Sequence, residues 1–155
     1  DVSLPGRSAV VIGAGGAGRA AAFALADADV TVAIANRTES TARELAASVP
    51  GASGYGLDQL STLLADADIL VHATSVGMED DRSLVPPSAL HSGLTVLDVV
   101  YRPRSTRLLQ DASDVGAQTI DGTWMLLYQG VEAFEKWTGE VAPVEVMGDA
   151  LRERL

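Results

Sequence analysis

A chain of 155 residues, 47% of them apolar, is long enough to bury one core and reads as a single globular domain over 1–155. Its 21 acidic and 11 basic residues leave a formal charge of −10, which argues against nucleic acid or an anionic membrane surface as a partner. With no cysteine, disulfides, thiolate catalysis and cysteine-bound metals are excluded, and no metal site is expected.

In chain order, Ser8–Ile12 reads as a strand and Ala17–Ala26 as a helix. Val30–Ala35, rich in β-branched residues, is the next strand. A helix follows to about Ser48. Thr41-x-x-Glu44 has capping-box spacing, with Thr38 as the competing cap. Residues 51–56 are glycine-rich and predict a loop with a short edge strand. Asp58 is expected to cap a short helix over Gln59–Ala65. Ile69–Ala73 is a buried strand, Ser75–Pro87 an acidic loop, and Pro87–His91 one helical turn. Leu94–Val100 is a strand, Ser105–Val115 a helix closed by Gly116, and Gln118–Ile120 a last short strand. A long helix over Thr123–Trp137 precedes a terminal one from Pro143 to Leu155.

Strands alternating with helices predict an α/β fold: a Rossmann-like, doubly wound parallel sheet flanked by helices in three α/β/α layers. No run of about 18 apolar residues predicts a membrane span. A cytoplasmic location is expected. The chain opens almost directly on a strand, as expected of a piece of a longer protein.

The first turn carries the first chemical signal. Gly13, Gly15 and Gly18 fall at G-x-G-x-x-G spacing between an apolar strand and an alanine-rich helix. There Gly13 permits the turn, Gly15 lets the backbone approach a pyrophosphate, and Gly18 lets the helix pack closely. The helix N-terminus offers free N–H groups to the phosphates.

The end of the second strand then selects the dinucleotide. NAD sites place an acid there to bind the ribose 2′-hydroxyl, but this chain has Asn36-Arg37-Thr38. Arg37 can pair with a 2′-phosphate that an acid would repel, so NADP(H) is expected.

The third strand ends in Thr74-Ser75, at the carboxyl edge of the sheet where open α/β folds bind ligands. His72 is read first as a satisfied core histidine and second as a ligand. His91 reads as a surface residue. Lys136, the only lysine, lies four residues after Glu132 and reads as a surface ion pair. Trp124, Leu127, Val131 and Phe134 recur at helical spacing and predict core packing. Met125 and Gln129 lie on another face that points to the cleft. Val144, Met147 and Leu151 form an apolar stripe on the terminal helix.

Further motifs make a resemblance specific: Asn36-Arg37-Thr38, Ala73-Thr74-Ser75-x-Gly77-Met78, Asp98-x-x-Tyr101-x-Pro103, Gly122-x-x-Met125-Leu126-x-x-Gln129 and Phe134-x-x-Trp137-Thr138-Gly139. Together with the glycine loop, they make the chain similar to the C-terminal, NADP-binding domain of the shikimate/quinate dehydrogenase family. The family commonly has Asn where this chain has His72.

The resemblance implies that Gly13, Ala14, Gly15, Gly16 and Ala17 hold the pyrophosphate, and that Asn36, Arg37 and Thr38 hold the 2′-phosphate. Thr74 and Ser75 line the cleft, while Val99, Gly122 and Met125 flank the nicotinamide. Tyr101 and Gln129 reach shikimate or 3-dehydroshikimate. Full-length members carry about a hundred further residues before this domain, which supply a catalytic Lys–Asp pair. No catalytic residue is therefore expected in this chain.

By the same resemblance, the terminal helix at 143–155 is expected to pack toward that missing domain, or, if exposed, to promote self-association. Two alternatives remain: the nucleotide domain of another NADP reductase such as glutamyl-tRNA reductase, and a non-catalytic NADP-sensing module. The acid-rich, lysine-poor composition resembles that of proteins from salt-loving organisms. Screening of like charges predicts a melting temperature that rises between low and molar salt. An unchanged melting temperature would contradict this.

Overall fold

After Ser8, the first strand, β1 (Ser8–Ile12), carries no polar side chain. A computed structural model, which describes residues 3–154, gives the reason: both faces of this strand are covered. Val10 and Ile12 enter one apolar cluster, and Ala9 and Val11 enter the other.

The chain continues through α1 (Gly16–Asp27), β2 (Thr31–Asn36), α2 (Glu39–Ala46), β3 (Ser53–Gly56), α3 (Leu60–Leu64), β4 (Ile69–His72) and β5 (Thr95–Asp98). It ends with α4 (Arg107–Asp114), β6 (Gln118–Ile120), α5 (Thr123–Thr138) and α6 (Val144–Arg152). Single 3₁₀ turns lie at Leu57–Gln59 and Pro87–Ala89.

All six strands are parallel, in the order β3-β2-β1-β4-β5-β6. Ala22 and Leu25 of α1 and Ala42 and Leu45 of α2 pack on one face of the sheet. Leu60 and Leu64 of α3 and Leu108, Leu109 and Ala112 of α4 pack on the other. This is the expected three-layer, doubly wound fold. From β1 the chain winds outward to β3, then crosses back to start again at β4. The loops after β1 and β4 therefore diverge and open a crevice between them, the place where such sheets bind ligands.

Several local expectations change. α2 starts at Glu39, with Thr38 in the N-cap position but no side-chain cap, and Thr41 lies inside the helix. The turn is closed by Asn36 Nδ2 donating to the Thr38 carbonyl at 3.0 Å. Asp58 does not cap α3; it sits inside the 3₁₀ turn, with Gly56 at the cap position. α4 begins two residues late because Thr106, not Ser105, caps it: its Oγ1 accepts the Leu109 N–H at 3.3 Å. His91 is not a free surface group. Its Nδ1 accepts the Gly93 N–H at 3.2 Å, so its Nε2–H donates to the Leu64 carbonyl at 3.1 Å, tying the end of α3 to the loop before β5.

The last two helices form a satellite hairpin, turned at Gly139 in the left-handed region (φ 74°). Leu127 and Val131 of α5 bury themselves with Ala142, against Val144, Met147 and Leu151 of α6. The α6 stripe thus finds its partner within this chain, because the short connection brings α5 alongside it. Trp124 is not core: it is 48% exposed and stacks on Tyr128 with ring centroids 6.2 Å apart. Leu155, expected to end the terminal helix, lies outside the described residues.

Two carboxylates pin chain entries into these elements. Asp68 Oδ2 accepts the Ser8 N–H at 2.9 Å and the Ser8 hydroxyl at 3.1 Å, joining the starts of β1 and β4. These bonds hold its pKa below the ordinary 3.8. Asp121 is partly desolvated, which opposes ionisation. Bonds from the Thr123 hydroxyl and amide, helped by Arg104, nevertheless lower its pKa.

With both folded-state values depressed, the native state binds fewer protons than the unfolded chain near pH 4. Their contribution is therefore complete above about pH 4 and is lost as pH falls through the lower folded-state values. Thermal melts from pH 7 to pH 2 are expected to show this acid loss, and a variant carrying both Asp68→Asn and Asp121→Asn to show a shallower one. An equal slope in the two proteins would refute the linkage.

Candidate functional site

The glycine loop after β1 divides into two pairs. Gly13 and Gly18 are buried, whereas Gly15 and Gly16 are exposed. A Cβ on Gly13, whose φ is +107°, would sit 2.5 Å from the Ala73 carbonyl oxygen, and one on Gly18 would sit 2.0 Å from the Gly13 carbonyl oxygen. These glycines are demanded by the protein's own packing: α1 against the loop, and the loop against the end of β4.

A Cβ on Gly15 or Gly16 would meet nothing within 4 Å. Their bareness serves nothing inside the chain and leaves the backbone open to a ligand. The first-turn amides of α1 lack intrahelical acceptors. One expectation is corrected here. The Gly13 N–H donates to the Ala35 carbonyl at 2.8 Å, so Gly13 shapes the loop and has no amide free for a pyrophosphate.

At the crevice lies a cavity of about 410 Å³ lined by Ile12, Asn36, Arg37, Thr38, Leu57, Thr74, Ser75, Val76, Arg82 and Leu84. The ends of β2 and β4 bring Asn36, Arg37, Thr38, Thr74 and Ser75 together there, as expected. Arg37 is exposed and makes no ion pair or side-chain hydrogen bond among the described residues. Among the described residues no acid lines this cavity. The donor set suits a phosphate monoester beside a flat apolar group, and Leu57 and Leu84 supply the apolar surface.

Leu57, Leu84 and Arg82 were not singled out from the sequence. Arg82 is the one basic residue in the loop after Ser75, and that oddity is the signal that could have marked it. Its guanidinium is tethered to Asp80 at 2.5 Å and holds that carboxyl below the usual carboxylate range.

The shikimate/quinate 5-dehydrogenase family matches residues 2–79, and the shikimate 5′-dehydrogenase C-terminal domain matches residues 122–152. The chain belongs to the shikimate/quinate dehydrogenase family. A shikimate dehydrogenase (NADP⁺) of Haloarcula marismortui is 68% identical over all 155 residues. The chain spans 58% of that relative's length. A quinate dehydrogenase from Corynebacterium glutamicum, solved with NAD, superposes with TM-score 0.90 at 33% identity; the match covers 100% of this chain and 57% of that one. A shikimate dehydrogenase solved with NADP⁺ superposes at 0.87 with 38% identity over 97% of this chain and 55% of that one. The halophilic relatives fit the acidic composition.

The family's other motif residues lie around the ends of β5 and β6. Gly122 packs on the Val99–Val100 peptide so closely that a Cβ would sit 2.3 Å from the Val99 carbonyl oxygen. Val99 and Gly122 are therefore brought together, and the demand for glycine at 122 is a packing demand. Met125 and Tyr101 are 38% and 37% exposed, and the Arg102–Pro103 peptide that follows Tyr101 is cis. Gln129 is exposed, but its amide is turned back to donate to the Leu126 carbonyl at 3.1 Å. That bond turns one amide N–H away from solvent, so the shared-face reading from the sequence does not by itself aim Gln129 at a ligand.

Lys136 pairs with Glu132 at 3.5 Å with both side chains largely exposed, which is the surface ion pair expected of it. Among the described residues no group of His, Asp or Glu is arranged to hold a metal ion, and no helix is long and apolar enough to cross a membrane.

Proposed function

We propose that this chain is the NADP(H)-binding part of a shikimate dehydrogenase, an enzyme that interconverts 3-dehydroshikimate and shikimate. The observation that carries this reading is the end of β2, where Arg37, unpaired among the described residues, stands between Asn36 and Thr38 on a cavity whose described lining holds no acid. In this reading Arg37 pairs with the adenosine 2′-phosphate through two donors, and Asn36 and Thr38 add neutral contacts. Ala14 to Ala17 and the first-turn amides of α1 cradle the pyrophosphate. Val99, Gly122 and Met125 flank the nicotinamide, and Tyr101 and Gln129 approach the substrate. NADPH, when bound, supplies the hydride that reduces a ketone.

The Lys–Asp pair that moves the proton belongs, on this proposal, to the part of the relatives that this chain does not match. On this proposal, the exposed and stacked Trp124 and Tyr128 are turned toward that part. If nothing covers them, they are also the surface through which copies self-associate.

Titration of the chain with NADPH and NADH, read by nicotinamide fluorescence, is expected to give NADPH at least about tenfold tighter affinity. Equal affinities would overturn the assignment. The NAD-bound quinate dehydrogenase neighbour makes quinate the substrate to test beside shikimate. NADP⁺ reduction by a protein that joins this chain to a substrate domain is expected with shikimate, and turnover by the chain alone is expected to be negligible. Cofactor binding without any turnover by the joined protein would favour a sensing module.

A further inference from the structure

His72 ends β4 with its ring 2% exposed, between two partners. Its Nδ1 lies 2.9 Å from Asp98 Oδ1 and its Nε2 lies 2.7 Å from Thr74 Oγ1. Counting donors around Asp98 places the Nδ1 proton. Asp98 Oδ1 also accepts the Val100 N–H at 3.0 Å, and Oδ2 accepts the Thr106 hydroxyl at 2.7 Å. An ionised carboxylate only accepts, so the His72 Nδ1 must carry a proton. In the neutral form of the ring Nε2 is bare, and the Thr74 hydroxyl donates to it. Thr74 Oγ1 in turn accepts the Val76 N–H at 3.2 Å. No buried side-chain polar atom among the described residues is left without a partner.

This arrangement sends the only proton of Thr74 inward, away from the cavity that Thr74 lines. Its methyl Cγ2 faces Gly13, lying 3.0 Å from where a Cβ there would stand. We propose that His72 is a positioning residue for the cofactor cleft: held by Asp98, its Nε2 sets the Thr74 rotamer, which presses the methyl against the glycine loop and shapes the Thr74–Val76 edge. This rests on the cofactor reading above and changes one part of it. Thr74 contributes shape to the cleft, not a hydroxyl donor to the cofactor.

The two ring nitrogens can be tested separately. In His72→Asn the shorter amide reaches Asp98 in place of Nδ1 and leaves Thr74 unheld. In His72→Gln the longer amide reaches Thr74 in place of Nε2 and leaves Asp98 short of a donor. Melting temperature and the NADPH dissociation constant are measured for the wild type and both variants, and ¹⁵N shifts of the His72 ring are recorded in the wild type.

The expected result is a split. His72→Asn weakens NADPH by about fivefold to tenfold, the worth of one hydrogen bond, with the smaller loss of melting temperature. His72→Gln keeps NADPH affinity near the wild-type value and loses more melting temperature. The ring is expected to show a protonated Nδ1 and a bare Nε2. Wild-type affinity in His72→Asn, affinity losses that simply follow melting temperature in both variants, or a ring protonated at Nε2 would each overturn the proposal. A wild type that fails to bind NADPH would instead overturn the cofactor reading, and the ring assignment would then be judged by its ¹⁵N shifts alone.

Discussion

Alanine at Gly13 and alanine at Gly15 are expected to fail in opposite ways. At Gly13 the added Cβ meets the Ala73 carbonyl oxygen at 2.5 Å, and the residue is held at φ +107°, where a side chain is strained. Backbone strain of ~1–3 kcal/mol and overpacking of similar size add to roughly 3 kcal/mol or more. The melting temperature should fall on the order of 10 °C. NADPH binding is lost as well, because the loop and the end of β4 are forced apart.

At Gly15 the backbone is extended (φ −81°, ψ −168°), which alanine adopts freely, and its Cβ meets nothing in the protein. Stability should therefore stay within about 0.5 kcal/mol of wild type, as for other exposed changes. NADPH affinity should still drop at least about tenfold, because the methyl stands where a pyrophosphate must approach the backbone. Thermal melts and NADPH titrations on the two variants check this. A Gly15→Ala protein that binds NADPH like wild type would remove the phosphate from this loop.

Arg37→Ala carries the second large effect, and it falls on cofactor choice. A charge-assisted bond is worth about 1.5–3 kcal/mol, so losing the guanidinium should weaken NADPH by about 10- to 100-fold. NADH, with no 2′-phosphate, should bind as before. Because Arg37 is exposed and bound to no other side chain among the described residues, its loss should leave the melting temperature unchanged. Arg82 stands in the same cavity but is already engaged with Asp80 at 2.5 Å, so it is a poor replacement. Unchanged discrimination between NADPH and NADH after Arg37→Ala would show that the end of β2 does not read the 2′-phosphate.

What could be read without coordinates was what local chemistry dictates. Unbroken apolar runs such as Val10-Val11-Ile12 require cover on both faces, and their alternation with helices requires a parallel sheet. The glycine spacing requires a tight strand-to-helix turn, and Asn36-Arg37-Thr38 carries its charge wherever it lies. The fold class and the expectation of a phosphate at the glycine turn and the end of β2 follow from these alone.

The rest depends on distances between residues far apart in the chain. Gly13 and Gly15 look alike in the sequence; only the neighbouring strand end shows that one is packed and the other bare. His72 could have been core or ligand. Asp98, 26 residues on, and Thr74 decide that it is a buried bridge between two side chains. Trp124 fits the apolar period of α5, but α6 folds back against Leu127 and Val131 and leaves the Trp124 side exposed. Helical spacing shows which residues share a face, and tertiary packing decides which face is buried.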